Sequence, residues 1–405
     1  MRRKLTYTII FILSTIISGF ATSYKPVVSN YSTQSYGISA GVQNWSCHQG
    51  KNGEMYFGNN RGMLSFDGYN WKLYHLPEQT ICRSVFADGD SIFVGSYEDF
   101  GYYKRNSKGE LVYKSLRERI HNFNMENEEI WKIIKHDGKI YFQSFSSSFL
   151  WDGKEIRIIN FKDYKPLYYH QINGKIYAQL INGPYCILEK DKYRQIFSRE
   201  EFGNDNIVEA TQISGNRAIL FSESNGLFLM SANNDVRKIN TSIDKELSEA
   251  KVNRATITKD STLIIGTILD GIYAIDLKGN LKWHYNSDTG LLNNSVLSLL
   301  CDRDNNIWAA LDNGISLIHT GVPYSIMTPE RGEAMLGMIY DVSIIGDYTL
   351  LATNQGLYYY NKNGKIKFTP GTGGQNWHIS TFDNQTFIGN NLSTMKFQQD
   401  GTVTK

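Results

Sequence analysis

Short apolar runs alternate with polar turns along most of the chain. Residues 302–318 show the pattern most clearly: a polar turn, an apolar run, the turn Asn313-Gly314 and a second apolar run. A further apolar run, residues 295–300, comes directly before them. Runs of this length between Gly- and Asn-rich turns predict β-strands, and Asn-Gly favours tight hairpins because both residues can take positive φ.

The same order of runs and turns recurs nine times. The first turn of each unit lies at Asn52-Gly53, Asp88-Gly89, Asp137-Gly138, Asn173-Gly174, Ser214-Gly215, Lys259-Asp260, Asn305-Asn306, Gly346-Asp347 and Asp383-Asn384. The eight steps between these turns average about 41 residues, and a period of about 40 to 45 with four strands is that of a propeller blade. Two further turns in most units keep the same register, which disfavours a β-sandwich. We therefore predict an all-β propeller of four-stranded antiparallel blades.

The start of the chain suggests how the ring closes. Residues 30–38 and 283–291 both read as a strand ending in Tyr, a polar stretch and Gly followed by an aliphatic residue. The N-terminal strand has no earlier blade, so we expect it to form the outer strand of the seventh blade. That pairing closes a seven-bladed ring, residues 24–328, without an exposed sheet edge.

Two units then remain outside this ring. We expect residues 329–405 to form two blades of a second, incomplete propeller, because two blades cannot bury their faces alone. Gln375-Asn376-Trp377 in the ninth unit repeats Gln43-Asn44-Trp45 of the first unit. The alternative is one ring of eight or nine blades.

Residues 1–23 read as a secretory signal peptide. The basic residues Arg2, Arg3 and Lys4 precede an uncharged, mostly apolar stretch, and Ala21-Thr22-Ser23 supplies small residues for cleavage. An uncleaved N-terminal anchor is the alternative. No later segment is long and apolar enough to span a bilayer. We expect a periplasmic or extracellular protein that meets a membrane only through this peptide or through a segment that this sequence does not contain.

Two irregular segments interrupt the strand pattern. Residues 116–121 lie in the longest gap between units, and residues 242–250 lie between the fifth and sixth units. Both read as short helical excursions.

Charge and composition exclude several classes of function. Lys and Arg number 42 against 40 Asp and Glu, well mixed along the chain, so nothing indicates nucleic-acid binding. Eight scattered His residues form no HExxH motif, and no GxSxG motif occurs. We predict no catalytic residues and no cofactor.

The four cysteines, Cys47, Cys82, Cys186 and Cys301, are far apart and lack metal-ligand spacing. Cys186 and Cys301 sit in strand-like apolar runs, which indicates small buried side chains. Export would permit a disulfide, but nothing in the sequence pairs them. We predict no metal site.

The motif Asp302-x-x-Asn305-Asn306-Ile307-Trp308, followed by Asn313-Gly314-Ile315, resembles the two-component regulator propeller repeat, as do residues 290–296. That repeat builds periplasmic sensor regions of hybrid two-component systems in Bacteroides-like bacteria, and related membrane regulators with a helix-turn-helix output. Residues 36–45, 64–68 and 99–102 look like the second group. Two units, at Lys259-Asp260 and Gly346-Asp347, lack the Asn-Ile-Trp sequence, which leaves the subfamily open.

The resemblance implies a sensor of extracellular ligands, often glycan fragments in the hybrid systems. It also implies a second propeller, a tyrosine-rich β-sandwich, a transmembrane helix and an output domain, the last three of which this sequence lacks. We expect an extracytoplasmic ligand-sensing or scaffold propeller of a membrane-bound regulator, and a homodimer formed through the missing C-terminal regions.

The candidate ligand-binding residues lie at strand ends and turns that we place on one face of the ring. They are Gln43, Asn44, Trp45, Glu98, Asp99, Tyr102, Trp131, Tyr169 and His170. Aromatic faces can cover sugar C–H surfaces while amides and carboxylates bond hydroxyls, so we expect a glycan or other small polar ligand. The alternatives are inter-blade packing for Trp45 and Trp131, a strand-end pair for Tyr169 and His170, and a solvated loop for Glu98 and Asp99.

Two other functions stay open at this point. One is a stand-alone glycan-binding propeller. The other is a propeller hydrolase or lyase, whose carboxylates would have to converge from different blades.

Overall fold

The computed structural model describes residues 25–161, 165–322, 324, 336–361, 366–398 and 400–405. The predicted signal peptide lies outside the described residues, and so does Asn363-Gly364, one of the further turns that the repeat pattern predicts in the eighth unit. Every described sheet is four-stranded and antiparallel, and there are nine of them. The predicted all-β class and the four-stranded blade are therefore confirmed. The chain divides into two compact units, one spanning Pro26–Tyr324 and the other containing the described residues from 336 onward.

Seven blades make up the first unit, with their strands in chain order. The first strand is β1 (Val27–Tyr31), followed by the short helix α1 (Thr33–Tyr36). Blades 1 to 3 contain β2 (Asn44–Gln49), β3 (Met55–Asn59), β4 (Gly62–Phe66), β5 (Trp71–Tyr74), β6 (Cys82–Asp88), β7 (Ser91–Ser96), β8 (Phe100–Arg105), β9 (Leu111–Ser115), β10 (Lys132–His136), β11 (Lys139–Gln143), β12 (Ser147–Trp151) and β13 (Ile156–Asn160). Blades 4 to 6 contain β14 (Pro166–Ile172), β15 (Lys175–Leu180), β16 (Tyr185–Glu189), β17 (Lys192–Phe197), β18 (Ile207–Ile213), β19 (Arg217–Ser222), β20 (Leu227–Met230), β21 (Val236–Ile239), β22 (Val252–Ile257), β23 (Leu263–Thr267), β24 (Ile272–Ile275) and β25 (Leu281–Tyr285). Blade 7 contains β26 (Val296–Cys301), β27 (Ile307–Leu311) and β28 (Ile315–His319), with β1 as its fourth strand.

The short turns follow the sequence pattern. At Asp137-Gly138, between β10 and β11, φ is 47° and 75°, and at Asn173-Gly174, between β14 and β15, it is 49° and 68°. Asp, Asn and Gly tolerate this left-handed region, so these dipeptides connect two strands without a longer loop.

The two predicted helical excursions are present. A single 3-10 turn, Arg117–Arg119, lies between blades 2 and 3, and α2 (Asp244–Ala250) precedes blade 6. None of the helices in the described part of the chain has the length and apolar character needed to cross a bilayer.

The ring closes through β1. Its residues pair antiparallel with β28, from Val27 opposite His319 to Tyr31 opposite Ile315. The ring of Tyr31 packs at 5.2 Å from Trp71 and 5.9 Å from Trp308, so it joins blade 1 to blade 7. The predicted closure by the N-terminal strand is confirmed.

The hydrophobic core is distributed between neighbouring blades. Between blades 2 and 3, for example, the ring centre of Phe100 lies 4.6 Å from that of Phe142 and 5.0 Å from that of Phe149, and all three side chains are fully buried. Equivalent clusters join the other neighbours around the ring. Each blade therefore depends on both of its neighbours for burial of its faces.

The motif that carries the family resemblance has a structural role in blade 7. Oδ1 of the buried Asp302 accepts from the backbone N–H groups of Asp304 at 2.9 Å and Asn306 at 2.8 Å, which shapes the turn between β26 and β27. Its Oδ2 accepts from Nε1 of Trp308 at 3.0 Å. The same carboxylate thus fixes the turn and the orientation of the indole that packs against blade 1.

Replacing Asp302 by Ala should destabilise the protein by about 2 kcal/mol, because it leaves a buried indole N–H and two turn N–H groups without an acceptor. Chemical denaturation followed by tryptophan fluorescence measures the change. Asp304→Ala is the matched control, since that side chain is exposed and should change stability by less than about 0.5 kcal/mol. Equal effects of the two variants would contradict this role.

The second unit contains two more blades with their own core. Their strands are β29 (Ile339–Ile345), β30 (Tyr348–Thr353), β31 (Leu357–Asn361), β32 (Lys367–Phe368), β33 (Asn376–Phe382), β34 (Gln385–Asn390), β35 (Thr394–Phe397) and β36 (Val403–Thr404). Leu350, Leu357 and Ile388 are fully buried between them. Several apolar side chains are nevertheless exposed, including Ile344 at 78% and Phe382 at 77%.

All four cysteines are free thiols. Cys47, Cys82 and Cys186 are buried and Cys301 is half-buried, in agreement with small packing residues in strands. Burial raises the pKa of the Cys47 thiol to about 12 and that of Cys186 to about 11, so both stay protonated at neutral pH.

Candidate functional site

A β-bulge recurs at the start of the inner strand of the blades. In β2, Asn44 lies opposite Asn59 and Ser46 opposite Gly58, so Trp45 is the extra residue. The same register shift occurs at Arg83, Leu167, Val208, Asn253 and Leu297. In blade 3, Trp131 holds the corresponding position directly before β10, and its N–H donates to the carbonyl of Gln143. Bulges re-aim side chains and commonly lie next to functional sites.

The six bulged residues and Trp131, one from each blade, converge on one cavity, and we call these seven residues the inner ring. The cavity has a volume of about 370 Å³, and its lining includes all of the inner ring: Trp45, Arg83, Trp131, Leu167, Val208, Asn253 and Leu297. Neighbouring residues of blades 3 to 6 complete the walls, chiefly Lys132, Gln143, Phe145, Tyr168, His170, Glu209, Arg254 and Ile268. We call this space the mouth cavity. Its size is that of a typical small-molecule pocket.

One wall consists of a cation held against two indole rings. The guanidinium carbon of Arg83 lies 4.0 Å from the ring centre of Trp45 and 4.5 Å from that of Trp131. Its Nη2 donates to the carboxylate of Glu129 at 3.2 Å. Cation–π contacts and a half-buried ion pair therefore fix Arg83 in this position.

Both indole rings already pack against other aromatic rings of the protein. The Trp131 ring stacks on Phe145 at 5.4 Å, and the Trp45 ring meets Trp131 at 82°. Nε1 of Trp45 donates to Asn60. The two rings form a wall rather than a free platform for a sugar.

Four lining residues carry buried polar atoms that no described residue bonds: Arg83 at Nε and Nη1, His170 at Nε2, Gln143 at Oε1 and Trp131 at Nε1. Nε2 of Gln143 donates to the carbonyls of Ser144, Pro166 and Leu167, and because all three are acceptors the amide orientation is fixed. Its Oε1 is left as an unused acceptor. Nε1 of Trp131 is an unused donor. Buried groups of this kind cost about 1–3 kcal/mol each without a partner, which suggests a ligand or water as the partner.

A charged cluster lies beside these atoms. The ammonium of Lys132 is 3.8 Å from a carboxylate oxygen of Glu209, although the two residues belong to blades 3 and 5. Burial opposes ionisation of Glu209, but neighbouring groups, chiefly Lys132, outweigh it and keep the pKa of Glu209 below its usual value. The Arg254 guanidinium lies 5.3 Å from the ring centre of Tyr168.

Tyr169 and His170 lie in β14, the inner strand of blade 4. Nδ1 of His170 is 3.1 Å from the hydroxyl of Tyr185, and burial lowers the pKa of His170 to about 4, so the imidazole is neutral. The hydroxyl of Tyr169 is shared with Ser148 and Tyr193, and burial raises its pKa. Neither side chain adds a charge to the cavity.

The structure brings four of the nine candidate residues to the mouth cavity. Trp45, Trp131, Tyr169 and His170 belong to its lining. Tyr169 is almost fully buried and its hydroxyl is bonded within blade 4, so it supports the cavity wall from behind.

Gln43 and Asn44 instead hold the ring together. Nδ2 of Asn44 donates to the carbonyl of Gly314 in blade 7 at 3.1 Å, and its Oδ1 accepts from Asn59 at 2.9 Å. Gln43 bonds Asp312, also in blade 7. The ninth unit repeats this arrangement, since Asn390 donates to Oδ1 of Asn376 at 3.2 Å. The Gln-Asn-Trp repeat therefore reflects a structural amide pair.

Glu98, Asp99 and Tyr102 also lie outside the cavity lining. Asp99 accepts from Ser115 and Tyr113 and from its own neighbour's N–H, and burial raises its pKa. Glu98 is partly exposed and accepts from the N–H of Asn127, which lowers the pKa of Glu98. Tyr102 packs on Phe93 within the core between blades 2 and 3. These side chains stabilise a turn and a core.

The residues that sequence reasoning missed are mostly polar ones: Arg83, Lys132, Gln143, Glu209 and Arg254. The sequence does contain a signal for the bulged positions. Each of them directly follows a buried residue at the start of a strand, as Arg83 follows Cys82. Aligning all nine units on that position would have selected the whole ring of bulged residues.

Metal ligation has no support within the described ranges, where His, Cys, Asp and Glu form no group of three suited to an ion.

Comparison with known proteins identifies the repeat. Residues 290–313 match the family model described as "Two component regulator propeller". The chain carries a two-component regulator propeller repeat. The matched segment spans the Asp302–Trp308 contact of blade 7, so the predicted resemblance is confirmed at the unit that showed it most clearly. A search of curated protein sequences gave no match.

Several solved structures have a fold similar to that of this chain. The extracellular domain of the putative hybrid two component system BT3049 from B. thetaiotaomicron is similar with a TM-score of 0.70 at 16% identity, over 94% of this chain and 54% of that one. The extracellular domain of the putative one component system BT4673 from the same organism gives 0.59 at 15%, with 94% and 54% covered. A streptogramin B lyase structure gives 0.57 at 11%, with 73% and 98% covered. The chain thus spans about half the length of the two regulator domains.

Proposed function

We propose that the seven-bladed ring is the extracytoplasmic ligand-sensing module of a membrane-bound regulator, and that the mouth cavity is its ligand site. The observation that carries this proposal is the convergence of seven residues, one from each blade and six of them at β-bulges, on a single cavity. Inter-blade packing alone explains buried strand faces, but it gives no reason to aim one side chain from every blade at the same space.

The polar atoms without a partner favour a cavity that binds a ligand over an empty cavity left by imperfect packing. An empty cavity is stable when its walls are apolar, whereas Gln143 and Trp131 each bring a buried polar atom without a partner. A pocket with apolar walls and a few convergent polar groups is the usual form of a small-molecule site.

The regulatory part of the proposal rests on the repeat and on the N-terminal sequence. The regulator-propeller match favours a sensor or scaffold of a signalling protein. The signal-peptide pattern of residues 1–23 favours export. We further propose that the two blades of the second unit belong to a second propeller, since side chains such as Ile344 and Phe382 need a neighbouring surface. The homodimer stays a prediction.

A thermal-shift panel tests the proposed ligand site. We expect at least one compound among mono- and disaccharides, sugar acids, aromatic acids and amino acids to raise the melting temperature of the protein. Trp131→Phe should weaken binding of that compound about 10-fold, because it removes the indole N–H while an aromatic ring remains at the position. Calorimetric titration measures the affinity.

Trp377→Phe is the control, since Trp377 is half-exposed in the second unit. It should leave the affinity unchanged. A compound that binds both variants as tightly as the parent protein would place the ligand site outside the mouth cavity.

A further inference from the structure

The charges of the mouth cavity do not balance. Three cationic residues and one carboxylate line it: Arg83, Lys132, Arg254 and Glu209. Arg83 is paired with Glu129, which is not part of the lining, and Lys132 is paired with Glu209. His170 is neutral.

Arg254 is the cation left over. No carboxylate within the described ranges forms an ion pair with it, and the hydrogen bonds that it donates there all come from Nη1, to the carbonyl and the side-chain oxygen of Asn253. The guanidinium therefore keeps unused donors while it lies over the Tyr168 ring. A guanidinium with free donors in a sheltered site is well suited to a carboxylate.

The rest of the wall is mostly apolar. Phe145, Leu167, Val208, Ile268 and Leu297 face the same space. Five buried hydrogen-bonding atoms of the lining have no partner: Oε1 of Gln143, Nε1 of Trp131, Nε2 of His170, and Nε and Nη1 of Arg83, whose guanidinium is held against two indole rings. A saccharide with a hydroxyl on nearly every carbon would bury several hydroxyls without partners, each at a cost of about 1–3 kcal/mol. The walls favour a ligand with one or two polar groups and a compact apolar ring.

We propose that the mouth cavity binds a small monocarboxylate built on an apolar ring, with its carboxylate on Arg254. This inference rests on the proposed ligand site and narrows its ligand class. The ring would lie among Phe145, Leu167 and Leu297, and one donor or acceptor of the ligand would meet Gln143 or Trp131. The volume of about 370 Å³ suits a one- or two-ring molecule.

Matched probes test the charge and the ring separately. By calorimetry, indole-3-acetate should bind the full chain at least about 10-fold more tightly than indole-3-acetamide, its neutral counterpart. It should also bind more tightly than D-glucuronate, which carries the carboxylate on a hydroxylated ring. Equal affinity for the acid and the amide, tighter binding of glucuronate, or no binding of any acid would each overturn the inference.

A second binding experiment uses the variant Arg254→Gln. It should reduce the affinity for indole-3-acetate by about 10- to 100-fold and abolish the preference over the amide. Arg237→Gln, at an exposed position of β21, should change neither. An unchanged preference in Arg254→Gln would contradict the role of Arg254.

The same experiments separate this inference from the proposed function. If the acids fail but a neutral compound binds in a manner that Trp131→Phe weakens, the ligand class is wrong and the ligand site stands. If no compound binds, both are wrong.

Discussion

A protein that lacks residues 1–32 should lose its cooperative fold. The deletion removes β1, exposes the edge of β28, and takes away the Tyr31 ring that packs between Trp71 and Trp308. Losing several ladder hydrogen bonds at about 1 kcal/mol each, together with one buried aromatic side chain, should cost at least about 4 kcal/mol. Thermal unfolding followed by circular dichroism should show a lower and broader transition, and limited proteolysis should cut blade 7 first.

Deletion of residues 1–24 alone is the matched control, because it leaves β1 in place. That protein should keep a cooperative unfolding transition, as expected for the protein after removal of its predicted signal peptide. If the two deletions unfold at the same temperature, β1 does not close the ring.

Filling the mouth cavity should abolish ligand binding and leave the fold intact. Leu297 is half-buried at the bulged position of blade 7, so Leu297→Trp would place an indole in the space that a ligand needs. We expect a loss of at least about 100-fold in affinity for any compound that stabilises the parent protein, which corresponds to about 2.7 kcal/mol. Calorimetric titration measures the loss, and the melting temperature without ligand reports the fold.

The control for this variant is Leu281→Trp, at a partly exposed position of β25. It adds the same volume on the outer strand of blade 6. Full binding by Leu297→Trp would show that the cavity is not the ligand site.

The architecture could be predicted from the sequence because its signals are local and repeated. Dipeptides such as Asp137-Gly138 mark turns by their backbone preferences, and nine copies fix the period. Closure by β1 was predictable as well, since an unpaired N-terminal strand and a three-stranded seventh blade complete each other. Three of the site aromatics, Trp45, Trp131 and Tyr169, were also found, because large aromatic residues at strand starts stand out in the sequence.

The rest of the cavity depends on packing around the ring axis. Glu209 and Lys132 meet although 77 positions separate them in the sequence. Arg254 matters only because it lacks the carboxylate partner that the other cations have. Gln43, Asn44 and Asp99 share the residue types of binding sites, yet each is used to hold a turn or a neighbouring blade. A short polar side chain at a strand end serves either role, and its partners decide which.

The most direct test of the central claim is a crystal structure of the protein with the panel compound that raises its melting temperature most. The ligand should lie among the seven lining residues that the blades contribute one each, from Trp45 to Leu297, and within hydrogen-bond distance of Gln143 or Trp131. Ligand density at any other place, with the mouth cavity holding only water, would contradict the account.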